Sequence, residues 1–252
     1  DRREFKRLYP IVGILPPDQY MAVMLQLTEG CSFNTCSFCS FYKGQNYRVK
    51  SREEFREHSL VVRDFLREGI SLRKTIFLGS ANALGLPVSK LIPYLEIVHQ
   101  VYDVEALGGI YAFMDGFTGE KKSSSDFRSL AGLGVDTLYI GLESGSDELL
   151  RFLNKPSSAQ NVLNTVEGAK SAGIRLAVIV LLGPGGQAFA EAHIQDTIAV
   201  INRMDLDAGD ILYFSKMIAP DGMSSAPHAP GAGKSGLTEA EQEDQWRAIE
   251  AG

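Results

Sequence analysis

Residues 137–182 read TLYIGLESGSDELLRFLNKPSSAQNVLNTVEGAKSAGIRLAVIVLL, and this stretch decides the fold class. It begins and ends with apolar runs, Thr137–Leu142 and Arg175–Leu182, of the kind found in buried strands. Between them, Asn161–Ser171 has helical apolar spacing, and Gly173 stands where a helix commonly ends. A strand, a helix and a second strand in this order predict a βαβ unit with two parallel strands and a right-handed crossover.

The same alternation extends through most of the chain. Further strands are predicted at Met21–Leu27, Thr75–Leu78, Gly109–Phe113 and Asp210–Phe214. Helical spacing lies between the strands at Arg52–Arg67, Ser89–Val101, Phe127–Ala131 and His193–Met204. Six strands are too few for a complete eight-stranded barrel, so an open doubly wound sheet and an incomplete barrel both fit the pattern at this point.

Composition limits the kind of protein. The chain has 252 residues, 44% of them hydrophobic, which is enough for the core of one large or two small domains. The longest apolar run, 176–182, is far shorter than the roughly 20 residues of a membrane span. The first residues show no charged segment followed by an apolar one, so secretion is not expected. We therefore expect a cytoplasmic protein with no membrane span. Lys and Arg number 25 against 31 Asp and Glu, and this acidic balance argues against a nucleic-acid partner.

The carboxyl-terminal region differs in composition from the rest. Residues 219–236, APDGMSSAPHAPGAGKSG, are rich in Pro, Gly, Ala and Ser and predict a flexible linker. Beyond it, Leu237–Ala251 has an acidic helical pattern, with Thr238 and Glu241 spaced as a capping box. We expect three parts: an α/β domain at 1–218, the linker at 219–236 and a short helical extension at 237–252.

All three cysteines, Cys31, Cys36 and Cys39, lie in one short segment that follows the first predicted strand. An odd, crowded set is a poor disulfide framework, so metal binding is the better interpretation. Three thiolates can hold three irons of a [4Fe–4S] cluster and leave one iron open for a ligand. Two alternatives remain: a structural zinc site completed by a histidine, namely His58, His99, His193 or His228, and an electron-transfer cluster with a fourth ligand elsewhere.

This segment resembles the radical S-adenosylmethionine (SAM) enzymes, in which three cysteines stand on the loop after strand one and an aromatic residue, here Phe38, precedes the last cysteine. The family spacing is C-x3-C-x2-C, whereas this chain has C-x4-C-x2-C. Residues 134–155, GVDTLYIGLESGSDELLRFLNK, resemble strand four of the subgroup around oxygen-independent coproporphyrinogen oxidase and the elongator-type proteins. The resemblance implies an incomplete (βα)6 TIM-like barrel with parallel strands and a short C-terminal extension.

The resemblance also assigns SAM contacts. Gly79 and Ser80 stand where a turn after strand two offers backbone groups to the methionyl amino group. Glu143 and Ser144 would face the ribose, and Lys155 would meet the SAM carboxylate. Gly183, at the end of strand five, would lie near the adenine. The competing interpretation makes Glu143 a solvated loop residue and Ser146 merely an N-cap.

Asp115, after the third strand, is expected to be a solvated turn residue rather than part of a pocket.

By the same resemblance the protein would reductively cleave SAM to a 5′-deoxyadenosyl radical and abstract hydrogen from a substrate that no residue identifies. Reduced flavodoxin or ferredoxin would supply the electron, and activity would be anaerobic. With three cysteines in the chain, none remains for an auxiliary cluster. An iron–sulfur electron carrier and a zinc-stabilised module without SAM chemistry are the alternatives.

Overall fold

The structure is a computed structural model that describes residues 2–9, 13–217 and 236–252. The predicted linker at 219–236 lies outside the described residues, apart from Gly236. The strands are β1 (Ala22–Gln26), β2 (Thr28–Glu29), β3 (Arg48–Val49), β4 (Thr75–Gly79), β5 (Ile110–Phe113), β6 (Val135–Glu143), β7 (Arg175–Leu182) and β8 (Ile211–Lys216). The helices are α1 (Arg2–Leu8), α2 (Arg52–Leu66), α3 (Val88–Val101), α4 (Gly116–Gly119), α5 (Ser124–Gly132), α6 (Asp147–Phe152), α7 (Ala159–Ser171), α8 (Ala190–Ile201) and α9 (Glu239–Ala251).

Six strands form one parallel sheet in the order β1-β4-β5-β6-β7-β8. This order follows the chain without reversal. A doubly wound sheet would reverse its order at a switch point, whereas a barrel adds each strand beside the previous one. The strand order therefore distinguishes an incomplete barrel from a doubly wound sheet, and the predicted incomplete (βα)6 barrel is confirmed.

Four helices, α2, α5, α7 and α9, begin at a residue whose side chain caps the first turn. Ser51 accepts a hydrogen bond from the backbone N–H of Glu54, and the Glu54 carboxylate accepts one from the N–H of Ser51. Thr238 and Glu241 form the same reciprocal pair at the start of α9, as predicted from their spacing. Such caps satisfy backbone donors that the helix itself leaves unpaired.

Apolar side chains lie on both faces of the sheet, because alternate residues of a strand point to opposite sides. The larger cluster packs between the sheet and the helices and includes Ile76, Leu78, Leu138 and Leu176. A smaller cluster on the other face consists of Ala22, Phe77, Tyr139 and Ala177. The strands are thus buried on both sides, as expected for a parallel sheet.

The pairing register brings the predicted site residues to one edge. Gln26 pairs with Gly79, so β1 and β4 end level with each other. Leu182 pairs with Lys216, so β7 and β8 do the same. Between β6 and β7 the register shifts after Gly141, and Glu143 has a left-handed backbone with φ 63°. Residues 79, 143 and 183 therefore lie along the carboxyl edge, where parallel α/β folds place their sites.

In the described part of the chain, no helix is both long enough and apolar enough to cross a membrane.

Candidate cluster and cofactor site

The cysteine loop is closed at its base by a small two-stranded ribbon. β2 and β3 pair antiparallel, with Thr28 opposite Val49 and Glu29 opposite Arg48. The Arg48 guanidinium also donates to the Glu29 carboxylate at 2.7 Å. Gly30 begins the loop with φ 71°, and a side chain there would approach the backbone of Asn46 to 2.9 Å. A glycine is therefore required at the point where the loop leaves the ribbon.

Within the loop, polar groups hold the backbone in a compact turn. The side-chain amide of Asn34 donates to the carbonyl of Tyr42 at 2.6 Å. Lys43 Nζ donates back to the carbonyl of Asn34 at 2.9 Å. The buried Tyr42 ring then anchors the loop, because its hydroxyl accepts hydrogen bonds from the Ser80 hydroxyl and from the Ile14 amide.

A second anchor ties the loop to the end of α6. Ser37 donates from both its amide and its hydroxyl to the carbonyl of Leu153, at 2.9 and 3.0 Å. The side chain of Asn154 donates to the carbonyl of Thr35 at 3.0 Å. Because Lys155 is the next residue, these bonds bring its ammonium close enough to Cys36 for each charge to influence the other.

The three cysteines are free thiols, and each is half-buried. Burial raises the pKa of the Cys36 thiol to about 11, although the nearby Lys155 acts to lower it. Burial also raises the pKa of Cys39, and the neighbouring Cys31 adds to this effect. Three thiols in one loop, with a cation beside one of them, are a donor set that fits the three protein ligands of a [4Fe–4S] cluster.

The described residues contain no three His, Cys, Asp or Glu side chains close enough to share one metal ion. The histidines considered as a fourth zinc ligand are engaged elsewhere. His58 accepts from the Gln26 amide, His99 bonds to the carbonyl of Leu133 and His193 is buried beneath the sheet edge. His228 lies outside the described residues.

Glu143 and Lys155 form an ion pair at the centre of the carboxyl edge. Lys155 Nζ lies 2.9 Å from Glu143 Oε1, and the two side chains are only 6% and 10% exposed. Burial alone would lower the pKa of Lys155, but the charges of Glu143 and Asp115 outweigh it and raise that pKa. A Cβ at Gly141 would collide with the Glu143 carboxylate and lie 3.0 Å from Lys155 Nζ, so this glycine leaves the space that the pair fills. The alternative that Glu143 is a solvated loop residue is wrong.

Asp115 follows β5 and faces the same pair. It is half-buried, burial raises the pKa of its carboxyl, and Lys155 and Glu143 both act on it. Its amide donates to the side chain of Asn82 at 2.9 Å, which fixes the backbone between β4 and β6. The expectation of a solvated turn residue is wrong, because the sheet edge encloses Asp115.

The Ser144 hydroxyl is used inside the protein. It is fully buried and lies 2.8 Å from His193 Nδ1, and it accepts from the Ser146 amide at 3.0 Å. His193 Nε2 donates to the carbonyl of Leu181, so Nδ1 carries no proton and accepts from Ser144. Ser146 stands at the N-cap position of α6 but makes no side-chain cap bond. No local pattern in the sequence indicates that Ser144 bonds to a histidine 49 residues away.

Gly79 and Ser80 lie at the end of β4, beneath the cysteine loop. The Gly79 carbonyl accepts from the Leu27 amide at 2.8 Å, and the Ser80 amide donates to the Thr28 hydroxyl at 3.0 Å. Ser80 is buried, so its hydroxyl bond to Tyr42 joins the turn to the loop. Phe38 is half-buried between the second and third cysteines.

Gly183 is covered by the C-terminal helix. Its amide donates to the side chain of Gln245 at 2.7 Å, and a Cβ at this position would lie 3.0 Å from Gln242 Nε2. Both glutamines are buried against the end of β7. The C-terminal helix is therefore one wall of the carboxyl edge beside Gly183, a position that local sequence around β7 does not indicate.

The structure is a parallel partial barrel that carries a three-thiol loop and a buried ion pair at its carboxyl edge. These features define the class: an α/β barrel protein with its candidate site at that edge. The family model described as the Radical SAM superfamily matches residues 25–196, well over half of the chain. The chain belongs to the radical SAM superfamily, whose members use a [4Fe–4S] cluster and SAM, and the predicted resemblance is confirmed.

Curated relatives are distant and longer. The chain is 26% identical to hopanoid C-3 methylase of Methylococcus capsulatus over 73% of this chain and 32% of that protein. It is 22% identical to tRNA-2-methylthio-N(6)-dimethylallyladenosine synthase of Caldicellulosiruptor saccharolyticus over 78% of this chain and 41% of that protein. The chain thus spans less than half the length of either relative.

Solved structures share the fold at low identity. Coproporphyrinogen III oxidase of Escherichia coli superposes with a TM-score of 0.65 at 13% identity, over 92% of this chain and 53% of that chain. Methylornithine synthase superposes with a TM-score of 0.58 at 18% identity, over 98% of this chain and 66% of that chain. These likenesses support the partial-barrel architecture.

Proposed function

We propose that this chain is the catalytic barrel of a radical SAM enzyme, with Cys31, Cys36 and Cys39 as the cluster ligands and SAM bound along the carboxyl edge. The observation that carries the proposal is the double anchoring of the cysteine loop. One anchor, through Tyr42, joins it to the end of β4, and the other, through Ser37, joins it to the turn before Lys155. The loop and the ion pair are thereby held as one unit.

When bound, the cluster and SAM together supply one-electron cleavage of a carbon–sulfur bond, which yields a 5′-deoxyadenosyl radical able to abstract hydrogen from a substrate. The chain's own residues hold and orient these groups. The thiols would bind three irons as thiolates, and the Lys155 ammonium beside Cys36 would favour that charged form. Phe38 would shield the loop from water between two of the ligands.

The SAM contacts are proposed from position and chemistry. Lys155 would pair with the SAM carboxylate and Glu143 would accept from ribose hydroxyls, since each is the natural partner of that group. The turn at Gly79 and Ser80 would present backbone to the amino group, and Gly183 would lie against the adenine, with α9 behind it. Ser144 would stabilise this edge through its hydrogen bond to His193 and through its own backbone, since the Ser144 hydroxyl already has interior partners.

The remaining parts of the proposal concern the chain's organisation and partners. Residues 1–218 would be the barrel domain, 219–236 a linker and 237–252 a helix that packs on α8 and β7. Reduced flavodoxin or ferredoxin would donate the electron, in an anaerobic cytoplasm.

The direct test is to reconstitute the chain anaerobically with iron and sulfide, reduce it with dithionite, add SAM and measure 5′-deoxyadenosine. The proposal predicts four irons per chain and formation of this product. A verified cluster that yields no 5′-deoxyadenosine would instead indicate an electron carrier. A chain that binds one zinc and no cluster would indicate the structural module.

Cys36→Ala should lose the cluster and the product together, because two thiolates cannot hold a three-ligand cluster in place. Ser32→Ala is the matched control, since Ser32 is an exposed residue of the same loop with the same small side chain. It should retain full iron content and activity.

A further inference from the structure

Asp115 stands at a position where its side chain would ordinarily cap a helix. It precedes α4 with an extended backbone, φ −76° and ψ 144°, and its carbonyl accepts from the amides of Thr118 and Gly119. Aspartate at such an N-cap normally accepts a hydrogen bond from an amide of the first helical turn. Here the Asp115 carboxylate makes no cap bond.

The Asp115 carboxylate also has no bonding partner at the carboxyl edge among the described residues. It makes no hydrogen bond and no ion pair with any residue between 13 and 217, or with the other described residues at 2–9 and 236–252. The nearby cation, Lys155, is already bonded to Glu143 at 2.9 Å. Asp115 is therefore a half-buried anion held beside a satisfied pair, with its backbone fixed by Asn82.

The charge at this position favours a cationic partner. Lys155 is bonded to Glu143, so the Asp115 carboxylate has no cation of its own among the described residues. Half-buried charges are costly unless they are paired, and burial raises the pKa of the Asp115 carboxyl accordingly. A cation on a bound ligand would complete the set.

We propose that Asp115 is a ligand-binding residue that pairs with the sulfonium of SAM at the mouth of the barrel between β5 and β6. This inference rests on the proposed function and adds to it a contact from the third strand of the sheet. The residue would act by charge recognition, so its carboxylate and not merely its shape is required.

The test measures equilibrium binding to the reconstituted, unreduced full chain, so that SAM is bound but not cleaved. Two probes are compared: SAM and S-adenosylhomocysteine, which keeps the amino and carboxylate groups but lacks the sulfonium charge. Asp115→Asn should weaken SAM binding about tenfold, the effect of losing one charge-assisted contact. Iron content and the thermal midpoint should stay at the wild-type values, because the carboxylate bonds to no other described group.

The two probes test the sulfonium contact. Weaker binding of SAM with unchanged binding of S-adenosylhomocysteine would support the inference. Equal weakening of both probes, or unchanged binding of both, would overturn the inference and leave the proposed function intact. A wild-type chain that carries the cluster and binds no SAM would reject both.

Two further variants separate charge from structure. Asp115→Glu keeps the charge and should bind SAM more tightly than Asp115→Asn does, because the carboxylate is retained. Asp244→Asn removes the same charge from an exposed position on α9 and should leave both affinities unchanged. Equal weakening by Asp244→Asn would show a general charge effect and would also overturn the inference.

Discussion

Two aspartates at opposite edges of the barrel differ in the partners that the protein supplies for their carboxylates. At the amino edge, Asp18 lies in the short helical turn Pro17–Gln19. Its carboxylate accepts hydrogen bonds from the hydroxyls of Tyr139 and Tyr213 and from the amide of Gln19. At the carboxyl edge, Asp115 has no such donors among the described residues.

The two sites shift the pKa of their carboxyl groups in opposite directions. Burial alone would raise the pKa of Asp18, but the hydroxyls of Tyr139 and Tyr213 outweigh burial and hold that pKa below its usual value. Burial raises the pKa of Asp115, and the nearest cation is already shared with Glu143. The protein itself satisfies the Asp18 carboxylate, whereas the Asp115 carboxylate lacks such donors, which is the observation behind its proposed pairing with SAM.

The largest expected effect comes from removing the cation of the carboxyl edge. Lys155→Met should lower the free energy of unfolding by about 3–5 kcal/mol, because it leaves the buried Glu143 carboxylate without its partner. Urea unfolding of the reconstituted chain measures this. The double variant Glu143→Gln, Lys155→Met should recover much of the loss, since no unpaired charge remains. Equal losses in the single and double variants would contradict the pairing.

The second expected effect at the carboxyl edge is that the free energy of unfolding depends on pH through His193. Burial lowers the pKa of His193 to about 4, although the Leu181 carbonyl and Asp196 act to raise it, and Nδ1 must stay unprotonated to accept from Ser144. Because the folded-state pKa is below the unfolded value, the stabilisation is complete above about pH 6.5 and declines as the pH falls toward 4. From about pH 7.5 to about pH 5 the unfolding free energy should fall by about 2 kcal/mol from this group alone.

Urea unfolding at both pH values, in the wild type and in His193→Gln, isolates this contribution. The variant should lose the His193 part of the pH dependence and keep the part from His58, whose pKa burial also lowers to about 4. Identical pH profiles for the two proteins would show that His193 is not held neutral in the folded state.

Most of the fold could be predicted from the sequence, because each strand of the barrel is an apolar run and several long helices carry a local signal at their start. The capping residues Ser51 and Thr238 are examples. The ribbon of β2 and β3 could not be predicted, because strands of two residues show no period. The choice between barrel and doubly wound sheet also needed the strand order, which no local pattern encodes.

The candidate site was predictable where function depends on position along a strand and unpredictable where it depends on distant packing. Glu143 is the last residue of β6 and Lys155 follows the short helix α6, so the two lie only 12 positions apart in the sequence. The partners of Ser144 and Gly183 are 49 and 62 residues away. The same holds for Asp115, whose local sequence indicates a turn while its enclosure comes from the neighbouring strands.

A smaller effect should follow from filling the space beneath the ion pair. Gly141→Ala places a methyl group against Glu143 and Lys155 and should cost between about 1 and 2 kcal/mol, since the two side chain ends can shift only partly. SAM binding should weaken as well. Gly132→Ala is the control, because a Cβ there would meet nothing within 4 Å and alanine favours the helical backbone at the end of α5. Equal stability of the two variants would mean that the pair is free to move aside.

The smallest expected effect tests the comparison itself. Asp18→Asn keeps the shape of the amino-edge turn but replaces charge-assisted hydrogen bonds with neutral ones, so it should cost about 1 kcal/mol of unfolding free energy. SAM affinity should not change, because the turn lies at the edge opposite the cysteine loop. Asp115→Asn should show the reverse pattern, with affinity lost and stability kept. If Asp18→Asn weakened SAM binding as much as Asp115→Asn, the two edges would be coupled through the sheet, and the division between a structural and a ligand-binding aspartate would fail.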